Sequence, residues 1–217
     1  MNTRKDFLIT SSVFALAPAI AAASPSTKPA KSDELRFDFD RSRFNEMLAK
    51  PAKHKQCFGA TKIEDGSVMN GMSNTMNAYE QYLGEAPGSV HTAAVLYHGA
   101  AIALALNDAV WNDVLLPTVK NALPDLKDQF KDARPGKGNP YAKQFAGMVA
   151  RGSSFFVCHN AIAGFAQMAG GALKRPAENV HAAIMAGILP GALVVPAGVM
   201  AINACQEAKF TYIQSSL

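Results

Sequence analysis

From Lys53 onward, short apolar runs alternate with longer stretches in which apolar residues return every three or four positions. The first pattern predicts strands and the second predicts helices. Residues 54–61 predict a strand that ends before Asp65-Gly66. Over 67–83, Met69, Met72, Met76, Tyr79 and Leu83 form a helical stripe, closed by Gly84. Pro87-Gly88 marks a turn, 90–97 a second strand, and 100–106 an apolar helix. Asn139-Pro140 opens a helix with asparagine as cap and proline in the first turn. Its buried stripe is Tyr141, Phe145, Met148 and Val149, and Gly152 ends it. Residues 153–158 form a third strand, and Phe155-Phe156-Val157 is nearly continuously apolar, as a parallel strand covered on both faces should be. Helices follow over 161–168, broken by Gly170-Gly171, and over 176–185. A fourth strand at 192–195, a helix from Pro196 to about Lys209 and a terminal strand at 210–213 complete the pattern. Strands separated by such helices predict a three-layer α/β/α fold around a mainly parallel sheet of about five strands.

Two segments depart from this rhythm. In 107–138, Pro117, Pro124 and Pro135 interrupt the chain, and Asp and Lys alternate around 125–137. An exposed insertion with one or two short helices and a solvated charged face is expected there. At the other end, residues 1–23 read as an export signal. Arg4 and Lys5 form its positive start, 8–22 is apolar apart from Thr10, Ser11 and Ser12, and Ala21-Ala22-Ala23 supplies small residues for cleavage. The run is too short and too alanine-rich to span a bilayer comfortably, so no stable membrane insertion is expected after cleavage. Thr3-Arg4-Lys5-Asp6-Phe7-Leu8 resembles a twin-arginine signal with lysine in the second basic place, which leaves the general secretory route open. Residues 24–52 read as a linker and amino-terminal arm, rich in Pro, Ser, Lys and Thr over 24–33. Within it, Leu35, Phe37 and Phe39 alternate with charges, as in a short half-exposed strand or an arm laid on the body. The folded domain is expected over 53–217, in the periplasm.

Composition narrows the chemistry. The 217 residues suit one domain plus a tail, with 49% hydrophobic and 18% charged residues. A net charge of +4 and aromatics at 8% argue against a nucleic-acid partner. Three cysteines are too few for a disulfide scaffold and lack zinc-ribbon spacing. There is no Gly-x-Gly-x-x-Gly after a strand, no Walker-type loop and no Gly-x-Ser-x-Gly elbow, so no cofactor is implied.

In an open parallel sheet, ligands bind beyond the carboxyl ends of the strands. Two such junctions carry reactive side chains: Tyr97-His98-Gly99 and Val157-Cys158-His159-Asn160. A thiol at the start of a helix meets the positive end of the dipole, which favours thiolate. Cys158 is therefore the candidate nucleophile, with His98 and His159 as candidate proton partners. The same three residues could in principle hold a metal, but adjacent residues rarely ligate one ion, and no metal is expected. Cys57 and Cys205 lie in apolar surroundings suited to packing. In an oxidising compartment three cysteines leave an odd one, a functional thiol or an intermolecular bond, and spacing leaves pairing of Cys57 with Cys205 open.

Several segments together resemble the DsrE/DsrF-like sulfur-relay family. They are Met72-Ser73-Asn74-Thr75-Met76-Asn77-Ala78-Tyr79, Ala94-Val95-Leu96-Tyr97-His98-Gly99-Ala100-Ala101 and Phe155-Phe156-Val157-Cys158-His159-Asn160. The end contributes Gly191-Ala192-Leu193-Val194-Val195-Pro196-Ala197-Gly198-Val199, Ala204-Cys205-Gln206-Glu207 and Phe210-Thr211-Tyr212-Ile213. The similarity spans roughly 53–214, less well over 107–138. The resemblance implies a small α/β domain that forms trimers or hexamers. It also implies that Cys158 accepts sulfur as a persulfide, acting as a sulfurtransferase or a carrier. His98 would then protonate or tune the sulfur, and Asn160 would cap the next helix or bind the carried group. A sulfur donor or acceptor protein, or a small thiol, is the implied partner. The alternative is a non-catalytic, oligomeric module of the same fold that binds a small ligand or metal in the strand-end cleft.

Overall fold

A computed structural model describes residues 35–131 and 133–215. The expected export signal and the start of the expected linker lie outside the described residues. Five strands, β1 (His54–Ala60), β2 (Val90–Leu96), β3 (Ser154–Cys158), β4 (Ala192–Val195) and β5 (Thr211–Gln214), form one sheet. Its order is β4-β3-β2-β1-β5, and every neighbouring pair is parallel. All residues of β2, β3 and β4 are buried, which accounts for the apolar runs 93–96, 155–157 and 192–195. Polar residues at the amino-terminal ends of β2 and β3 pair with one another. Thr92 shares a 2.8 Å hydrogen bond with Ser153, and His91 shares one of 2.9 Å with Ser154.

Alternation along the strands divides the core in two. Phe58, Ala94, Leu96, Phe155, Val157 and Val194 pack on one side against α2 (Ser67–Tyr82), α5 (Ala142–Ala150), α6 (His159–Leu173) and α7 (Ala177–Ala186). Cys57, Ala93, Val95, Phe156, Leu193 and Val195 face α1 (Arg41–Ala49) and α8 (Gly198–Glu207) on the other. The protein is therefore a three-layer α/β/α fold. No helix among the described residues is long and apolar enough to cross a membrane.

Three elements differ from expectation. Within the expected linker and arm lies helix α1, begun by the Asp40 carboxylate, which accepts from the Arg43 N–H at 2.9 Å. Phe44, Met47 and Leu48 bury its inner face, and the Phe44 ring meets Phe156 at 5.1 Å. The expected insertion contains α3 (Asp108–Val110), a π turn over Trp111–Leu115, α4 (Leu116–Ala122) and a 3-10 segment over Pro124–Phe130. It is only half exposed: Trp111, Val114, Leu115, Val119 and Phe130 belong to the larger core. Gly170 and Gly171 do not break α6, which runs on to Leu173. A Cβ at Gly170 would stand 2.9 Å from the Arg175 carbonyl oxygen and 3.2 Å from Ala177 Cα. Glycine here allows the start of α7 to pass close to α6.

Asn139 is not the expected cap: α5 starts at Ala142 with Tyr141 in the cap position, and Asn139 stands just before it. It is buried, its amide donates to the Leu106 carbonyl at 2.7 Å, and its side-chain oxygen accepts from the Tyr141 N–H at 2.8 Å. The residue thus ties the approach to α5 to the end of the 3-10 turn after β2 (Ala101–Ala105).

Candidate functional site

The sheet register sets Leu96 beside Val157 and Cys158 beside Val195, so β2, β3 and β4 end side by side. Just past these ends lies a cleft of about 400 Å³. Its polar lining comes from Tyr97 and His98 after β2 and from Cys158 and Asn160 at the start of α6, with Phe165 and Met168 forming an apolar wall. His98 and Asn160 are exposed, whereas Cys158 keeps only 5% of its surface exposed. The thiol is thus recessed, at the edge of the cleft.

Cys158 occupies the cap position of α6 and makes no side-chain capping bond. Asn160 lies in the first turn and does not cap the helix. The amino-terminal N–H groups of this 15-residue helix and its dipole create an environment suited to negative charge.

His159 is not among the residues lining the cleft. It is buried, shares a 2.9 Å Nε2–Nε2 hydrogen bond with His181 of α7, and stacks on Phe37 at 4.2 Å. Burial, then the neighbouring His181, lowers the basicity of His159, and burial lowers that of His181. One neutral ring therefore donates to the other, and Phe37 lays the amino-terminal arm against His159. Cys158 is still extended at the end of β3 while His159 is the first helical residue, and their side chains go to different surroundings, the cleft and His181.

Tyr97, which spacing did not single out for chemistry, anchors the rim. Its hydroxyl donates to Gln214 Oε1 at 3.0 Å, and the Tyr212 hydroxyl bonds to the same oxygen. Burial, followed by the contact with Tyr97, raises the Tyr212 phenol above its usual pKa. A Cβ on Gly198 would lie 2.0 Å from Tyr97 Cβ, so only glycine lets α8 begin against this side chain.

A larger cavity of about 590 Å³ lies over the former insertion, between Leu116, Val119 and Phe130, with Lys120 and Lys127 in its lining. Among the described residues its lining includes no Cys, His or carboxylate. Among the described residues, no three His, Cys, Asp or Glu side chains converge as a metal site would require.

No family model matches the chain, and no curated protein matches it. Among solved structures, it is similar to a protein of unknown function, MTH1491 from Methanobacterium thermoautotrophicum. The identity is 17% over 74% of this chain and 98% of that chain, with a TM-score of 0.41.

Proposed function

We propose that this is an exported, periplasmic DsrE-like protein that binds or transfers sulfane sulfur as a persulfide on Cys158. The observation that supports the reading is the meeting of Cys158 and His98 in one strand-end cleft at the start of α6. In the first step the Cys158 thiolate attacks the outer sulfur of a donor persulfide, R–S–SH. The bond between the two donor sulfurs breaks, R–S⁻ leaves with its electron pair, and the outer sulfur remains as Cys158–S–SH. In this reading His98, in the same cleft, hands a proton to the departing thiolate. In the second step an acceptor thiolate attacks the carried sulfur and releases the Cys158 thiolate. No oxidant is consumed, because sulfane sulfur passes between thiols. The donor and acceptor are persulfide-bearing proteins or small thiols, and the protein works as a homo-oligomer, a trimer or hexamer.

A second reading, a non-catalytic module whose cleft holds a small ligand, draws support from the 5% exposure of Cys158. Incubation with glutathione persulfide, removal of the donor and intact-mass analysis separates the two. The expected result is one added sulfur atom per chain, removable by reductant, absent in Cys158→Ala and gained more slowly in His98→Ala. An unmodified wild type, or equal uptake by Cys158→Ala, contradicts the carrier.

A further inference from the structure

The other two thiols lie away from the cleft. Cys57 sits in the middle of β1 and Cys205 in the second half of α8, and both have 0% of their surface exposed. They share one apolar cluster with Phe44, Val95 and Phe156, and the two thiols are close enough to influence each other. Their contact bridges a sheet strand and the helix layer that covers it.

We propose that Cys57 and Cys205 are a disulfide site that closes during folding, fastening α8 to β1 and leaving Cys158 as the only thiol in the chain. The fold already gathers the two side chains into one cluster between β1 and α8, the proximity a disulfide between them needs. The oxidant is a small disulfide such as oxidised glutathione, R–S–S–R. One cysteine thiolate attacks it, a sulfur–sulfur bond breaks, and R–S⁻ leaves and takes up a proton. The second cysteine then attacks the mixed disulfide and expels the other R–SH. Two thiol hydrogens and two electrons thus pass from the cysteines to two molecules of R–SH.

Timing follows from burial. In the folded chain neither sulfur is exposed, and the Cys205 contact and burial together hold the Cys57 thiol protonated. Exchange requires an accessible thiolate, so the bond forms before α8 docks on the sheet. A chain folded with reductant is then locked as the dithiol, and a chain folded with oxidant is locked as the disulfide. The inference does not depend on persulfide chemistry at Cys158.

The full chain, unfolded in denaturant and refolded in a mixture of oxidised and reduced glutathione, tests the site. It is then unfolded without reductant, alkylated and digested. The expected product is a cross-link between the peptides carrying Cys57 and Cys205, with Cys158 outside it and the chain lighter by two hydrogen atoms at that pair. Three unlinked cysteines after oxidative refolding, or a bridge that includes Cys158, overturns the proposal. In a second arm, protein refolded with reductant meets oxidised glutathione only once native, and Cys57 and Cys205 are expected to remain free. A bridge formed as readily in that arm overturns the folding-stage closure. Failure of Cys158 to load sulfur leaves either readout unchanged, so the two proposals fail separately.

Discussion

Lowering the pH from 7 to 4 is expected to remove about 3 kcal/mol of stability through His91 alone. The ring is 4% exposed, packs edge-on against Phe210 at 5.0 Å and shares its Nε2 with the Ser154 hydroxyl. Its Nδ1 is buried without a hydrogen-bond partner among the described residues. Burial, then the positive charges of Lys50 and Lys55, pushes its pKa down to about 4 from the usual 6.5. The unfolded chain therefore takes up this proton near 6.5 and the folded chain only near 4. Between those values the unfolded state binds more protons, so stability rises with pH. The contribution is complete above about 6.5 and is lost as pH falls towards 4. His159 and His181, whose basicities are also lowered, add in the same direction. Urea unfolding at several pH values checks this, with His91→Gln as the comparison. The variant should show a flatter profile between pH 4 and 6.5, whereas an unchanged slope would remove His91 from the explanation.

Trp111→Ala is expected to cost about 3–5 kcal/mol, the usual penalty for truncating a buried large aromatic. The indole is 0% exposed, donates through Nε1 to the Ala103 carbonyl at 2.8 Å, and lies 5.4 Å from the Phe130 ring and 6.2 Å from Tyr141. Its removal opens a large void between the segment over 107–138 and the turn after β2. In the same segment Lys127 is exposed, and Lys127→Ala should change stability by about 0.5 kcal/mol at most. Paired denaturation curves for the two variants measure the contrast. Equal and small effects would mean that the segment is an appendage after all.

The central strands were legible because a parallel strand buried on both faces carries an apolar run with few polar positions to disguise it. Residues 154–158 and 192–195 show this in the uninterrupted runs Phe155-Phe156-Val157 and Ala192-Leu193-Val194-Val195. Helix α1 was not legible, because six of its nine residues are exposed and it presents only Phe44, Met47 and Leu48 to the core. That spacing of three and four was the available signal, outweighed by charged neighbours and a short length. In 107–138, prolines and charges concealed a buried stripe through Trp111, Val114, Leu115 and Phe130.

The site divides in the same way. His98 and Cys158 could be placed together in advance, since parallel neighbours carry their following residues to one edge. Adjacency in sequence was a poor guide for His159, because the chain changes from strand to helix between Cys158 and His159. Its real partner, His181, and the contact between Cys57 and Cys205 depend on how α7 packs on α6 and how α8 packs on β1. No local pattern contains that information.

Sulfur transfer requires that the recessed Cys158 sulfur be reachable in the folded protein while the other two thiols are not. Timed reaction of the folded, reduced chain with iodoacetamide, followed by digestion and site-by-site mass analysis, measures this directly. Cys158 should be modified under native conditions, with Cys57 and Cys205 unmodified until denaturant is added. A Cys158 that stays unmodified until the chain unfolds, like its two buried counterparts, would contradict a sulfur-carrying role.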